Sequence, residues 1–447
     1  MNLRPSFLLV ASVIAAFAAC SSASSRGKGT GTGNPPPSEG GSAVQVAKSS
    51  KSQDTSPAVP LTDQTALETG NRDFAFQMYA SLRAGSPTTN LFFSPFSISS
   101  AMAMTYAGAG GTTASEIASG MSFTLPPAQL HPAFDWLDLA IASRAPSDAP
   151  DGGGTPLAIH LANSLWGDKS VTFQQPFLDT LAIDYGAGVE QVDFTGNPAA
   201  AFDEVNQWVS TQTQGDVPQV LPPNAIDGTT LFVIVNAIYM KASWQWPFDA
   251  QSTADRPFTP PSGTAEKVPA MEQPGDFAYA ESAGAWQIVE LPYVGGKVAM
   301  DIVLPAPGTD AQFEAGLSAA EFSSMVGAMK TTFVDLVLPK FKIAGPSFSI
   351  ADQLKALGIK TAFTASADFS PMVGSTAVDI THVFQQSFVS VDEKGTEAAA
   401  ATAVVGGDAG IEQNPASMTV DHPFFIAIRD IPTGTILFAG KIEDPAH

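Results

Sequence analysis

The chain carries five histidines, His131, His160, His382, His422 and His447, and one cysteine, Cys20. Metal-assisted hydrolysis would need ligands at a fixed spacing, such as a His-Glu-x-x-His pair on one helix face, and none of the five is so placed. A lone thiol leaves no cysteine–zinc site and no disulfide. Serine acyl transfer would require a Gly-x-Ser-x-Gly elbow and phosphate chemistry a Walker loop; neither occurs. His382 and His422, with Asp421 adjacent, could be nominated as a fragment of a hydrolytic triad, but histidines satisfied in turns or core account for them more simply. The sequence assigns the chain no catalytic residue, no metal and no cofactor.

What remains is a stretch that could itself be acted upon. Glu393-Lys394-Gly395-Thr396-Glu397-Ala398-Ala399-Ala400-Ala401-Thr402 is flanked by the alternating Phe388-Val389-Ser390-Val391 and the apolar Phe424-Phe425-Ile426-Ala427-Ile428. Four consecutive alanines favour helix over strand. Yet no proline occurs from Glu393 to Asn414, in a chain with 35, so every N–H is free to join a sheet ladder. As a strand, Thr396, Ala398, Ala400, Thr402 and Val404 would share one small, uncharged face, and Glu397 would fall on the other. Such a segment fits a crowded sheet interior without being a strong strand by itself. A flexible Ala/Gly surface loop is the plainer alternative.

Glu393 to Ala400 resembles the hinge of a serpin reactive-centre loop, and Val420-Asp421-His422-Pro423-Phe424-Phe425-Ile426 resembles the serpin signature near the C-terminus. The two lie in the family order. The resemblance spans about residues 62–447 and implies an α+β serpin fold with three β-sheets, eight or nine helices and an exposed reactive-centre loop at about 393–419. It implies a hinge of Glu393, Gly395, Thr396, Glu397, Ala398, Ala399, Ala400, Ala401 and Thr402. The hinge glutamate of inhibitory serpins lies sixteen residues before the cleavage residue, which places the reactive bond at Ala409-Gly410, with Ile411 and Glu412 as alternatives. By match, Ser94 and Ser97 lie under the central sheet with Asn236, and Trp244 lies near the upper end of that strand. Gln385 aligns where most serpins place a histidine; glutamine donates and accepts, so a hydrogen-bonded cluster is still expected.

The elements that must position these residues are legible in part. Leu67, Phe74, Met78 and Leu82 recur at steps of seven, four and four, which predicts one apolar helix face within Thr65–Arg83, although Gly70 weakens its first turn. Ser97 is expected to cap the helix that follows. Leu231 to Met240 is an apolar run interrupted by Asn236, and a buried asparagine needs partners. Short strands recur through the second half, interleaved with helical texture over Asp310–Lys330 and Ser349–Leu357. That mixture indicates α+β.

The N-terminus reads differently. An apolar run from Phe7 to Ala19 follows a single charge, Arg4, and is too short to span a bilayer. It ends Phe17-Ala18-Ala19-Cys20, which resembles a bacterial lipoprotein cleavage box; an ordinary signal peptide with an incidental cysteine is the alternative. Residues 1–19 are thus expected as a signal peptide and Cys20 as a lipid anchor. Residues 20–61, rich in Ser, Gly, Thr and Pro, are expected as a disordered tether. The glycines at 27–33 mimic a phosphate loop, but no strand precedes them.

Net charge is −22 with 44% hydrophobic residues, which suits an acidic folded domain and argues against nucleic-acid binding. What the resemblance implies is a suicide-type inhibitor of serine endopeptidases, elastase-like or subtilisin-like, or of cysteine proteases. It would act as a monomer by loop cleavage and insertion into the central sheet. The expected location is the bacterial cell envelope, through Cys20 on the outer membrane, or outside the cell if released. The fourteen residues Thr396–Ala409 would reach roughly 46 Å as a strand, most of the roughly 54 Å across a domain of this size. The rival is a non-inhibitory, serpin-like binding protein displayed at the cell surface. Such proteins carry bulky or charged hinge residues, and Thr396–Thr402 are small.

Overall fold

Leu67, Phe74, Met78 and Leu82 are all buried on one face of the first helix, as their spacing requires. The glycine in that helix is demanded by packing, because a Cβ on Gly70 would lie 2.4 Å from the Ser122 carbonyl oxygen. The structure, a computed structural model, describes residues 44–144, 157–343, 347–375, 377–396 and 415–446, with the backbone alone at 160 and 161.

In chain order the elements are β1 (Gln45–Ala47), α1 (Leu61–Gly85), β2 (Leu91–Phe93), α2 (Pro95–Tyr106), α3 (Gly111–Gly120), α4 (Pro127–Ala142), β3 (Ala158–Asp168), α5 (Gln175–Tyr185), β4 (Val189–Val192), α6 (Pro198–Gln212) and β5 (Phe232–Ser243). The second half adds β6 (Ala254–Phe258), β7 (Glu266–Ser282), β8 (Trp286–Pro292), β9 (Val298–Pro305), α7 (Asp310–Gly316), α8 (Ala319–Ala328), β10 (Lys330–Pro339), β11 (Phe341–Ile343), β12 (Phe348–Ser349), α9 (Ala351–Ala356) and α10 (Ser370–Val373). Then come β13 (His382–Ser387), β14 (Val389–Asp392), β15 (Gly395–Thr396), β16 (Ala416–Thr419), β17 (Phe424–Asp430) and β18 (Ile436–Ile442).

Among the described residues the strands form two hydrogen-bonded networks of nine. The first runs β1-β4-β3-β5-β15-β14-β11, with β13 on β5 and β12 on β13. The second runs β16-β10-β7-β8-β9-β17-β18-β2, with β6 on β7. The three sheets expected are joined as two networks because the 17-residue β7 serves two sets of partners. Its first half pairs with β6, its middle with β10 and its last turn of chain with β8.

The larger core lies between the first network and the helices α1, α2 and α4 together with β17 and β18. A smaller one, with Trp166, Phe194, Val205, Val209, Val233, Val235 and Phe384, lies under α6 on the opposite face of β3 and β5. Strand alternation makes both possible, since residues of one parity on β5 face one core and the other parity the second.

Three expectations need correction. The cap of α2 is Ser94, not Ser97: the Ser94 side chain accepts from the Ser97 N–H at 3.1 Å. Pro95 takes the first helical position, where a missing N–H costs nothing. Part of the stretch expected as a disordered tether, residues 20–61, is ordered. Gln45–Ala47 pair antiparallel with β4, Ser49 donates to Asp179 at 2.6 Å and Gln53 to Asp135 at 2.7 Å. This polar segment takes its order from a sheet edge and from side-chain hydrogen bonds, which composition does not reveal. The break at Leu317-Ser318, where Ser318 caps α8, likewise divides the helix read over Asp310–Lys330 in two.

Candidate functional site

The hinge residues begin inside the central sheet. β14 and β15 form a hairpin turned by Glu393-Lys394, with Val391 opposite Thr396 and Asp392 opposite Gly395. The other edge of β15 pairs antiparallel with β5, Gly395 to Ser243 and Thr396 to Ala242. Gly395 has φ +151°, and a Cβ there would lie 2.1 Å from the Ala242 carbonyl oxygen. Only glycine lets the chain turn this closely against β5.

Thr396 is 1% exposed and its hydroxyl lies 2.7 Å from the Tyr293 hydroxyl. Burial pushes the Tyr293 phenol well up, against the opposing effect of that hydrogen bond, so it stays neutral. Its ring stacks on Trp244, with centroids 4.6 Å apart and planes 15° off parallel. Trp244 in turn donates its indole N–H to the Asp392 carbonyl at 2.9 Å, and its own backbone N–H to Lys394.

Glu393 anchors the turn. Its carboxylate accepts from Lys340 Nζ at 2.9 and 3.1 Å and from the Thr253 hydroxyl at 2.8 Å. Burial alone would raise its pKa, but the Lys340 and Thr253 bonds and a backbone N–H outweigh that and hold it below the usual carboxylate range. The Phe248 N–H donates to the Glu393 carbonyl. The turn is thus held by a charge-assisted bond on one side and by an aromatic stack on the other.

Below the hinge, Asn236 on β5 is in register with Asn163 on β3 and with Gln385 on β13. Asn236 Nδ2 donates to Asn163 Oδ1 at 3.1 Å, and the same oxygen accepts from the Ser97 hydroxyl. Ser94 turns away, donating to the Leu437 carbonyl at 2.6 Å while it caps α2. Gln385 gives its amide N–H to Ser387. Among the described residues, Asn236 Oδ1 and Gln385 Oε1 are buried acceptors without a donor. So Ser97 and Asn236 meet through Asn163, while Ser94 and Gln385 stand beside them on other partners. Trp244 belongs to the hinge and not to this amide cluster.

The sequence reading missed Asn163, Tyr293, Lys340 and Ser387. Asn163, a polar residue within an apolar strand, carried the same signal as Asn236. Nothing local marks Tyr293 or Lys340, which reach the hinge across more than fifty residues of chain. Glu397, Ala398, Ala399, Ala400, Ala401, Thr402, the Ala409-Gly410 bond with its alternatives Ile411 and Glu412, and Cys20 lie outside the described residues.

Among the described residues, His382 and His422 are not brought together as a triad fragment. His422 spends both ring nitrogens, on Asp421 at 2.7 Å and on the Pro305 carbonyl at 2.8 Å. His382 packs on Phe384 with centroids 5.1 Å apart, on a strand of the other network.

The family described as Serpin (serine protease inhibitor) matches residues 69–445. An uncharacterized serpin-like protein of Thermococcus kodakarensis is 36% identical over 402 residues, covering 88% of this chain and 91% of its own. Leukocyte elastase inhibitor A of Mus musculus is 34% identical over 388 residues, covering 85% and 99%. Among solved structures, native tengpin, a thermophilic serpin, superposes with TM-score 0.77 at 24% identity over 90% of this chain and 100% of its own. Uncleaved ovalbumin gives 0.76 at 26% over 85% and 100%.

Proposed function

The chain belongs to the serpin family, and we propose that it is a single-use inhibitor of serine endopeptidases that traps its target by loop cleavage and insertion into the central sheet. The observation that carries this reading is the place of Thr396, already hydrogen-bonded between β5 and β14 with its side chain toward the core. A strand continued in that register presents Ala398, Ala400 and Thr402 to the same face, small residues that a packed interior can take. Its other face would carry Glu397 toward Lys241, a partner of opposite charge. A non-inhibitory binding protein has no need of an insertable hinge.

The target class follows from the loop. Ala409 before the reactive bond suits the shallow apolar pocket of an elastase-like or subtilisin-like protease, and the mouse relative is named for elastase inhibition. No lysine or arginine lies between Lys394 and Arg429 to attract a trypsin-like pocket. The chain itself catalyses nothing in this scheme; the protease supplies the chemistry and the sheet supplies the work.

The N-terminal reading extends this to location. Residues 1–19 serve as an export signal, Cys20 carries lipid to a bacterial envelope, and a Ser/Gly-rich tether ahead of the folded domain holds the inhibitor at the outer face. The protein works there as a monomer, or outside the cell if released.

The test is to mix the purified protein with an elastase-like and a subtilisin-like protease. A complex that survives hot detergent, with a released fragment beginning at Gly410, is the expected result. Clean turnover of the loop with an active protease left behind would favour the binding-protein reading, and a fragment beginning at Gln413 would move the target to a glutamate-cutting protease.

A further inference from the structure

One run of chain, 382–392, changes partner at a single residue. Below it, β13 pairs parallel with β5 over six positions, from His382 with Val233 up to Ser387 with Ile238. Above it, β14 pairs with β15 and β11 and no longer with β5. The residue between is Phe388, which belongs to neither strand. The central sheet therefore forks at Phe388, with β15 held between the two arms.

The registers on the two arms agree about where the fork closes. Continued four residues beyond Thr396, the β15 register reaches Ile238 on β5 and Ser387 on β14's side. Those two are already partners of each other. The pair Ile238–Ser387 is thus the first that an advancing strand must split.

Immediately above that pair, Tyr239 and Phe388 face each other, with ring centroids 6.4 Å apart and planes 34° off parallel. Both are three residues from partners of Thr396, an odd count, so their rings lie on the face opposite Thr396. Tyr239 is buried and Phe388 half-buried. Lys342, exposed on β11, sets its ammonium over the same ring, 5.4 Å from the Phe388 centroid. Tyr239 and Phe388 thus bridge the two arms of the fork at its apex.

We propose that the Tyr239–Phe388 ring pair is the clasp of this fork, the contact that must part before any strand can advance between β5 and β13. This rests on the reading of the chain as a loop-inserting inhibitor. The rings cannot stay 6.4 Å apart once a strand lies between their backbones, since neighbouring strands stand about 4.8 Å apart and two spacings would then separate them. The contact exists only in the closed sheet, so it stabilises that form selectively. Tyr239 and Phe388 are positioning residues; they touch no reacting atom.

The test is hydrogen exchange on the intact protein, followed in overlapping peptides across Val233–Ser243 and His382–Asp392. Phe388→Leu and Tyr239→Leu keep apolar bulk but remove the ring pair. Each should speed exchange at the Ile238–Ser387 level by about 2- to 12-fold, the range an aromatic pair supplies, and leave the Val233–His382 end unchanged. Phe388→Tyr keeps the ring and should exchange as wild type. Warm incubation without protease should cost the two leucine variants their inhibitory capacity faster by a similar factor. Unchanged exchange, or exchange sped equally at all six pairs, overturns the clasp. If exchange responds as stated but wild-type protein never traps a protease, the clasp stands and the inhibitor reading falls.

Discussion

The hydroxyl of Tyr293 lies 2.7 Å from that of Thr396, in a position where both side chains are buried. One is at the turn after β8 and the other ends the short strand β15, so this hydrogen bond ties the hinge to the turn after β8. Removing either hydroxyl should loosen the hinge by about 0.5–1.5 kcal/mol. Tyr293→Phe and Thr396→Val together should cost less than the sum of the two, since one bond is lost in each case. Additive melting shifts would show that the hydroxyls act apart. Thr396→Arg goes further, burying an unpaired charge at a cost of several kcal/mol. That variant should be cut at the same bond yet leave the protease active; full inhibitory stoichiometry would mean that the hinge is misassigned.

Glu393 and Lys340 give the hinge turn a pH dependence of definite sign. The Glu393 carboxyl is held below its ordinary value in the fold. Its contribution is therefore present above the unfolded pKa near 4.5 and is lost as pH falls through the lower folded value. Lys340→Met should weaken the turn by about 1 kcal/mol at neutral pH and flatten this acid limb. Stability curves of variant and wild type that stay parallel from pH 3 to 6 would contradict the pairing.

The opposite sign is expected where the N-terminal segment crosses α4 and α5. Burial first, then the neighbouring Asp135, pushes the Asp138 carboxyl up to about 7. Burial, Asp135 and Asp54 raise Asp184 to about 6. Folded protein thus holds protons that unfolded chain has released, and stability falls as pH rises from about 4 to about 7. Asp138→Asn should remove part of that slope and stabilise the protein at pH 8 by on the order of 2 kcal/mol. A melting temperature that is flat across this range in wild type would rule the effect out.

Two buried acceptors below the hinge, Asn236 Oδ1 and Gln385 Oε1, find no donor among the described residues. The register of β15, carried on, sets Thr402 between Asn236 and Gln385 on the face they share. A threonine hydroxyl can donate to one of them in the cut, inserted form. Thr402→Val keeps the shape and should lower the stability of the cut protein by about 1–3 kcal/mol, with the intact protein unaffected. Equal effects on both forms would place Thr402 elsewhere.

Anchorage is tested by Cys20→Ser. The variant should leave the detergent phase and appear in the soluble or extracellular fraction. Unchanged partitioning would count against lipid at Cys20.

Much of the molecule was legible before any coordinates. Leu67, Phe74, Met78 and Leu82 announced α1 because helical period is a local property. The β5 run around Asn236 announced a buried strand with a polar centre. The resemblance then ordered these pieces into one family. Other features had no local signature. The order of residues 45–54 comes from β4, Asp179 and Asp135, and a polar sequence cannot state that a sheet edge awaits it. Ser94 displaced Ser97 as the cap because Pro95 fixed where the helix begins. Lys340, Tyr293 and Trp244 converge on the hinge from three separate strands or turns, and the fork at Phe388 exists only because β5 is in register with β13 below and β15 above. Periodicity and side-chain size act within a few residues, so the sequence carries them openly. Register between strands is set by long-range pairing, and only the tertiary structure decides it.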